Sequence, residues 1–266
     1  MGVLNHNGHE HQAGPIGVDH ARYQTLRVAF DTDVCSIQIH RPEANNTINN
    51  QLIRELRDVL EQCDRAAKVV VLEGLPDVFC FGADFREIEA TQDAEGLYDV
   101  WLKLAEGSFV SVAHVRGKTN AGGVGFVAAC DVVISEGRAV YSLSELLFGL
   151  MPACVLPFLI RRIGVARANL MTVMTQPVPA QQALEWGLVD ICAEDSEQML
   201  RRQLLRLRRL SKEGLSRYKR YRNSLDPTLT NARDRAIQSN REVFSDRRNL
   251  ESISRYVSSG KFPWEA

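Results

Sequence analysis

The sequence predicts an α/β fold in which strands and helices alternate, followed by a helical C-terminal region. Short β-branched runs recur through the first 195 residues, helical periodicity separates them, and amphipathic helices dominate from Glu197 onward. The chain has 266 residues, of which 45% are hydrophobic. It can therefore bury one large core, or a core with a smaller appendage.

Two strands and a helix open the predicted fold. Thr25–Phe30 and Val34–His40 alternate around a tight turn, and apolar residues recur at helical spacing after Asn49 or Asn50, each a plausible N-cap. Further strands are predicted at Lys68–Leu72, Ser111–Val115, Asp131–Ser135 and Val140–Ser142, and further helices at about Leu97–Glu106, Val124–Ala129, Leu156–Ile163, Ala166–Met174 and Ala180–Trp186, with breaks at Gly164, Pro177 and Pro179. This order indicates crossover connections between strands.

The C-terminal region contains an apolar stripe and a basic run. Leu204, Leu207 and Leu210 lie on one helix stripe, and helices that cannot bury such a stripe in the core pack against a partner chain, so we expect an oligomer. Between Arg201 and Arg222, ten basic residues occur with a single acid. This basic run is either a solvated helix face or part of a binding surface.

Composition argues against several classes of protein. The formal net charge of -1 disfavours a chain whose whole surface binds a polyanion. The six cysteines are scattered without a C-x-x-C pair, which favours small buried hydrophobes in a reducing compartment. Residues 1–22 form neither a signal nor a transit peptide pattern and are expected to be a disordered leader, and no apolar run reaches the roughly 20 residues of a membrane span. We expect a soluble, cytoplasmic protein with no metal site and no nucleic-acid or membrane partner.

Two glycine-containing breaks occur, one after an apolar strand and one at the start of a predicted helix. The run "VFCFGADF" at residues 78–85 breaks at Gly82 and Ala83, and Gly122 and Gly123 open a predicted helix. Backbone amides at such breaks lack internal partners, and those at a helix start lie at the positive end of its dipole. Each break alone is an ordinary turn, but two such amides converging on one point would form an oxyanion hole for a thioester that becomes an enolate.

The succession of motifs resembles the crotonase (enoyl-CoA hydratase/isomerase) superfamily. The resemblance extends from Tyr23 to Phe262 and rests on "HRPEANNTIN", "VVVLEG", "FCFGADF", "VRGKTNAGGVGFVAACDVVIS", "YSLSELLFGLMP" and "ALEWGLVD". It implies a spiral of ββα turns at residues 23–195 and a helical C-terminal oligomerisation region at residues 196–266, in a trimer or a dimer of trimers. Members bind acyl thioesters of coenzyme A or of a phosphopantetheine arm, so the thioester carrier is part of the substrate and no separate cofactor is expected.

The resemblance also implies the catalytic residues. It places the oxyanion-hole donors at the amides of Ala83 and Gly122. Hydratases of the family use two glutamates; ungapped counting from Gly117 puts the first at Gly125, where the carboxylate is absent, and the second at Glu145, where it is retained. A carboxylate partly screened from water has a raised pKa, which suits Glu145 to remove an α-proton and return it to a departing β-hydroxyl. A single glutamate disfavours hydration of an unactivated enoyl thioester and leaves elimination possible.

Four further residues are candidate substrate contacts, namely Lys118, Asn120, Phe81 and Arg86. Lys118 would pair with a carboxylate at the far end of the substrate, unless it points to solvent, and Asn120 would hold the hydroxyl. Phe81 and Arg86 flank the Gly-Ala break, and Phe81 is assigned to the pocket wall. Asp84 is expected to cap the helix that follows rather than to take part in the chemistry.

Within the superfamily, "RPEANNTIN" followed by "VVVLEGLPDVFCFGADF" is similar to the first crotonase-like enzyme of the polyketide β-branching (HMG-synthase) cassettes. That similarity implies a dehydratase, a hydro-lyase that converts 3-hydroxy-3-methylglutaryl on an acyl carrier protein to 3-methylglutaconyl. The basic run would then steer an acidic carrier protein, or else contact the phosphates of coenzyme A. Two alternatives stay open: a coenzyme A-dependent hydratase, isomerase or decarboxylase of the same superfamily, and a non-catalytic paralogue that binds acyl thioesters.

Overall fold

The computed structural model describes residues 22–87 and 93–265, so the predicted leader lies outside the described residues except for Arg22. The strands are β1 (Leu26–Asp31), β2 (Val34–Ile39), β3 (Val69–Glu73), β4 (Val78–Cys80), β5 (Val110–Val115), β6 (Lys118–Asn120), β7 (Val132–Glu136), β8 (Val140–Ser142), β9 (Val178–Pro179) and β10 (Ile191–Ala193). The α-helices are α1 (Asn50–Ala66), α2 (Ala94–Glu106), α3 (Gly122–Ala129), α4 (Leu156–Met174), α5 (Ala180–Trp186), α6 (Ser196–Leu207), α7 (Lys212–Leu225), α8 (Thr228–Ser245) and α9 (Arg247–Ser259). Short 3-10 helices occupy Pro42–Ala44, Phe85–Glu87 and Glu145–Phe148.

The strands alternate between two sheets along the chain. The six-stranded sheet has the order β1-β2-β3-β5-β7-β10, and the four-stranded sheet has the order β4-β6-β8-β9. Three successive units, β3-β4-α2, β5-β6-α3 and β7-β8-α4, each add one strand to each sheet and then a helix, with parallel pairing from unit to unit. The predicted spiral of ββα turns is confirmed. Because β4, β6 and β8 are parallel, the loops that follow them meet at one edge of their sheet.

The six-stranded sheet separates two apolar clusters. On β3, Val70 and Leu72 face the large cluster shared with helices α1 to α4, whereas Val69 and Val71 face a smaller cluster shared with α6 and α7. A strand covered on both faces has no polar alternation, which explains the uninterrupted apolar run that begins at Val69. The large cluster includes Cys80 and Val124, so the glycine breaks lie on its side of the sheet.

The predicted boundaries are met at most elements, and the exceptions have local causes. Asn49 caps α1 as expected, since its side chain accepts a hydrogen bond from the Leu52 amide at 2.9 Å. Helix α2 starts at Ala94 rather than Leu97 because the Asp93 side chain caps it. The predicted break at Gly164 is confirmed by its φ of 78° and ψ of 161° within α4. Strand β6 is too short and polar for hydrophobic periodicity to have revealed it.

The apolar stripe of α6 packs within the chain. Leu204 and Leu207 contact the outer face of the six-stranded sheet, while Leu210 is exposed. This stripe therefore does not require a partner chain, because the outer sheet face supplies the apolar surface. Exposed large apolar residues occur instead on the second half of α4, at Val165, Leu170, Val173 and Met174. Oligomerisation stays a prediction. The exposed apolar residues of α4 are a more suitable surface for a partner chain than the stripe of α6.

Part of the basic run also has an internal role. Lys219 is 2% exposed, and its ammonium lies 2.6 Å from a carboxylate oxygen of Asp131, which also pairs with Arg222 at 3.1 Å. Lys212 donates to the backbone carbonyls of Ala67 and Ser108 at 2.7 and 2.8 Å. These bonds fasten α7 to the sheet. The exposed basic residues of the run are Arg201, Arg202, Arg206, Arg209, Arg217 and Arg220.

All six cysteines are free thiols, and all but Cys192 are buried, as expected of small core residues. In the part of the chain that the structure describes, no helix is long and apolar enough to cross a membrane.

Candidate active site

The first glycine break forms a sharp corner after β4. Gly82 has a φ of +85°, which favours glycine, and a Cβ there would lie 2.8 Å from the Cβ of Ala121. Ile48 donates its N–H to the Gly82 carbonyl at 2.7 Å, and Asp84 donates its N–H to the Ile48 carbonyl at 3.0 Å. In a parallel pairing of this kind the intervening residue directs its own N–H to the opposite side. The N–H of Ala83 therefore points away from Ile48.

The second break is a corner between β6 and α3. Ala121 has a φ of 51° and a ψ of -121°, and its N–H donates to the Ser142 carbonyl at 2.9 Å. Helix α3 then begins at Gly122, so its first amides have no acceptor within the helix. A Cβ on Gly122 would lie 2.8 Å from Cδ1 of Ile48 and 3.8 Å from the Cα of Gly82. The two corners thus lie directly beside each other.

The structure brings the predicted donors, Ala83 and Gly122, to one cavity. Both residues line a space of about 680 Å³, and among the described residues neither amide donates to a backbone carbonyl. The Gly122 nitrogen lies 3.6 Å from the place that a Gly82 Cβ would take. Two adjacent N–H groups without a backbone acceptor, one of them at a helix N-terminus, can hold an oxygen on which negative charge develops.

Two ion pairs of the buried Asp84 side chain hold the Ala83 corner in place. The Asp84 side chain is 3% exposed and pairs with Arg41 at 3.1 Å and with Arg86 at 3.1 Å. Burial alone would raise the pKa of Asp84, but hydrogen bonds from Arg86 and Thr47 outweigh it and hold the pKa below its usual range. Asp84 also accepts the backbone N–H of Arg86 at 3.2 Å, which confirms the predicted cap, here on a single 3-10 turn.

Asn46 holds the loop between β2 and α1 against β4. Its side chain is fully buried; the amide oxygen accepts the Arg41 N–H at 2.7 Å, and the amide nitrogen donates to the carbonyls of Ile39 at 3.0 Å and Phe79 at 3.1 Å. The motif at residues 40–49 was recognised from the sequence, but this positioning role was not. The signal was present as a cluster of polar residues between the apolar strand β2 and the amphipathic helix α1.

The predicted carboxylate, Glu145, lies in the same cavity. It begins the 3-10 helix Glu145–Phe148 just after β8, and its Oε2 is buried without a hydrogen-bond partner among the described residues. Burial raises the pKa of Glu145 to about 7, and the backbone amides of Glu145 and Ser144 offset part of that effect. A carboxyl with this pKa can both accept and release a proton near neutral pH.

Asn120 serves the loop that holds Glu145. Its Oδ1 accepts from the Ser142 hydroxyl at 2.8 Å, and its Nδ2 donates to the Ser144 hydroxyl at 2.9 Å. The side chain lines the cavity, but its bonds tie β6 to the residues just before Glu145. The observed role is therefore to position the Glu145 loop, and the predicted contact with a substrate hydroxyl stays untested. The two serines of "SLSE" were the sequence signal for these hydrogen bonds.

The remaining predicted contacts divide into two groups. Phe81 and Arg86 line the cavity, with Phe81 41% exposed at its wall. Lys118 is exposed and is not among the lining residues. The structure thus favours the solvent-facing alternative for Lys118. The exposed basic residues of α6 and α7 do not line the cavity either, since these helices lie across the six-stranded sheet.

The C-terminal helices complete the cavity, which the sequence alone did not indicate. Phe148, three residues after Glu145, packs against Phe85 at 5.9 Å, Tyr256 at 5.1 Å and Phe262 at 5.9 Å between ring centroids. Phe85 lies two residues after Ala83. This aromatic cluster therefore connects the C-terminal segment to the loops that carry the Ala83 amide and the Glu145 carboxylate.

The raised pKa of Glu145 predicts an acid limb in the pH profile. Removal of an α-proton needs the carboxylate form, which is lost as the pH falls through about 7. For a reaction on a thioester in which Glu145 acts as the base, we expect kcat/KM to decrease about tenfold per pH unit below this point, as measured between pH 5 and 9. An acid limb with an apparent pKa near the ordinary glutamate value of 4.5 would show that the carboxyl is not screened from water.

Comparisons with known proteins show which family the chain resembles. The profile of the enoyl-CoA hydratase/isomerase family matches residues 29–266. The chain is 53% identical over 257 residues to bacillaene synthase dehydratase PksH of Bacillus subtilis (strain 168), covering 93% of this chain and 99% of that protein. It is 32% identical over 171 residues to 2,3-dehydroadipyl-CoA hydratase of Escherichia coli (strain K12), covering 62% of this chain and 67% of that protein.

Solved structures share the fold. The crystal structure of the polyketide biosynthesis enoyl-CoA hydratase (pksH) from Bacillus subtilis has a TM-score of 0.88 at 54% identity, and covers 91% of this chain and 100% of that chain. An enoyl-CoA hydratase structure from Mycobacterium avium paratuberculosis K-10 has a TM-score of 0.81 at 23% identity, a likeness that concerns the fold alone.

Proposed function

The chain belongs to the enoyl-CoA hydratase/isomerase family, and we propose that it is a dehydratase of polyketide biosynthesis that removes water from 3-hydroxy-3-methylglutaryl held on an acyl carrier protein. The predicted superfamily and the predicted hydro-lyase class are confirmed by the family match and by the similarity to PksH. The substrate and its carrier are proposals that rest on the site described above.

One observation supports elimination above hydration: Glu145 is the one acid of the described lining with a buried, unpartnered carboxylate oxygen. The other lining acids are Asp84, which is held in ion pairs, and Glu43, which is exposed. Glu145 shares the cavity with the amides of Ala83 and Gly122, which donate to no backbone carbonyl among the described residues. Position 125, where hydratases of the family carry a second glutamate, is glycine.

The proposed reaction uses one carboxylate in both directions. The Glu145 carboxylate removes the α-proton, and the electron pair of that C–H bond forms the enolate, whose oxygen is held by the Ala83 and Gly122 amides. The enolate then collapses to the Cα–Cβ double bond, and the Cβ–O bond breaks. The departing hydroxyl takes the proton back from Glu145, so water is released and the enzyme returns to its initial state.

The carrier protein and the acyl group are supported by similarity. The relative that is 53% identical over nearly the whole chain is named a dehydratase of bacillaene synthase. The phosphopantetheine arm is part of the substrate, so no separate cofactor is proposed. A homo-oligomer that uses the exposed apolar residues of α4, and a cytoplasmic location, stay predictions.

A coenzyme A-dependent hydratase is the second candidate, because 2,3-dehydroadipyl-CoA hydratase is 32% identical over 171 residues. A hydratase acting on an unactivated enoyl thioester uses a second carboxylate to orient the attacking water. The absence of a carboxylate at Gly125 places this candidate below the dehydratase.

The proposed function predicts the loss of one water from a carrier-bound substrate. The purified protein is mixed with 3-hydroxy-3-methylglutaryl on a carrier protein, or on coenzyme A, and each thioester is followed by mass spectrometry. We expect the carrier-bound acyl group to lose the mass of one water with at least tenfold higher kcat/KM than the coenzyme A form. Equal efficiency on both would contradict carrier specificity, and an unchanged mass on both would support the non-catalytic paralogue.

A further inference from the structure

An indole ring occupies the space beside Gly125, the position at which the second carboxylate is missing. Trp101 of α2 is 1% exposed, and a Cβ built on Gly125 would lie 2.5, 2.7 and 2.8 Å from its Cζ2, Cε2 and Cη2 atoms. No side chain fits at residue 125 while the indole is there. Phe126 and Phe158 hold the ring by edge contacts, each with a centroid distance of 5.8 Å.

The indole N–H of Trp101 has no hydrogen-bond partner among the described residues, although the atom is buried. Tryptophan Nε1 is a donor only, and a buried indole N–H normally finds an acceptor, because leaving it unpaired costs free energy. Trp101 lines the cavity that contains Glu145, Ala83 and Gly122. An acceptor atom of a bound ligand would satisfy this N–H.

The position of the ring indicates which ligand atom this is. The ring atom nearest to the Cβ position of Gly122 is Cζ2, at 3.8 Å, and Cζ2 is bonded to Cε2, the carbon next to Nε1. The N–H and Cζ2 lie on the same edge of an indole, so the donor is close to the oxyanion hole. In a 3-hydroxyacyl thioester the β-oxygen is three bonds from the carbonyl carbon, whereas a distal carboxylate is farther away.

We propose that Trp101 Nε1–H donates a hydrogen bond to the β-oxygen of the bound acyl group and thereby selects 3-hydroxyacyl thioesters. This inference rests on the proposed function in that the substrate carries a β-hydroxyl. A donor that cannot accept a proton fixes the hydroxyl oxygen and leaves Glu145 as the group that moves the proton. A second carboxylate at this place would repel the Glu145 carboxylate; the indole does not.

The test removes the N–H and keeps the ring. In a Glu145→Gln background, which prevents turnover, Trp101 is replaced by 3-benzothienylalanine, in which sulfur takes the place of N–H. Calorimetry measures the affinity for two pantetheine thioesters that differ only in the β-oxygen, 3-hydroxy-3-methylglutaryl and 3-methylglutaryl. We expect the preference for the hydroxylated ligand to fall by about 3- to 10-fold, with the affinity for the other ligand unchanged.

Two results would overturn the role of Trp101: an unchanged preference, or an equal loss of affinity for both ligands, which a merely structural role would cause. Trp186 of α5 does not line the cavity, and the same replacement there should leave the preference unaltered. The readout is binding and needs no turnover. A parent enzyme that fails to release water would therefore contradict the proposed function while the binding ratio still reports on Trp101.

Discussion

Glu145→Gln is expected to lower kcat for dehydration by about 10³-fold or more, with KM changed much less. The substitution keeps the size of the side chain but removes the only group proposed to take the α-proton and return it to the hydroxyl, and positioned acid–base groups contribute about 10² to 10⁴ each. A loss of 10³-fold corresponds to about 4 kcal/mol of activation free energy. Single-turnover mass spectrometry on the carrier-bound substrate measures the chemical step directly.

Whether Glu145→Gln still folds can be checked from the pH dependence of its thermal stability. Because burial raises the pKa of Glu145 to about 7, the folded protein binds this proton more tightly than the unfolded chain does. The resulting stability is full below the ordinary pKa of 4.5 and is lost as the pH rises through 7. Glutamine carries no charge, so the variant should be at least as stable as the parent at pH 8, as judged by its Tm.

Glu43→Gln is the matched control for the carboxylate. Glu43 also lines the cavity, but its side chain is 70% exposed and lies 4.0 Å from Arg41. This change should alter kcat by less than about threefold, as expected for a surface acid. Near-normal turnover by Glu145→Gln, or an equal loss in both variants, would remove Glu145 from the mechanism.

Replacement of the Ala83 amide by an ester, Ala83→lactate, is expected to reduce kcat by about 10²- to 10³-fold. The ester has an oxygen where the N–H was, so it removes one oxyanion donor without adding or deleting a side chain. Loss of a single donor from such a hole has an effect of this size, since the donor acts where charge develops. Steady-state kinetics on the carrier-bound substrate, with nonsense-suppression incorporation of the hydroxy acid, gives the value.

The control ester is placed at Ile48, which donates its N–H to the carbonyl of Gly82 at 2.7 Å. The Ala83 ester weakens that same carbonyl as an acceptor, so a replacement of Ile48 by its α-hydroxy acid reproduces the structural weakening without touching the oxyanion donor. We expect this variant to lose Tm but to retain kcat within about tenfold. Equal losses of kcat in the two esters would show that the corner matters only as structure.

Much of the site could be predicted because its parts are local in sequence. The Gly82-Ala83 corner and the helix start at Gly122 are marked by residue type, since a φ of +85° favours glycine. Glu145 was implied by the resemblance to the crotonase superfamily, and its role needs a titratable group. The parallel order of β4, β6 and β8 then brings the ends of those strands together. The resemblance implied this convergence, whereas the alternation of strands and helices predicted only an α/β fold with crossover connections.

Other parts depended on contacts between distant segments. The amphipathic pattern of α6 showed that Leu204 and Leu207 needed an apolar partner, but only the packed sheet revealed that this partner was in the same chain. Polarity alone suggested that Lys118 and Asn120 would contact substrate. In the structure Lys118 lies outside the cavity lining. The Asn120 amide forms hydrogen bonds with the serines on both sides of Leu143.

By itself the sequence determined the alternation of strands and helices and the two glycine breaks, because periodicity and turn chemistry are local properties. The spiral, and the single glutamate where hydratases of the family carry two, were implied by the resemblance of its motifs to the crotonase superfamily. Only the tertiary structure decided that burial raises the pKa of Glu145, that Trp101 fills the space at Gly125 and that the C-terminal aromatic residues close the cavity. Desolvation and steric exclusion are produced by neighbours far apart in the chain, so no window of sequence contains them.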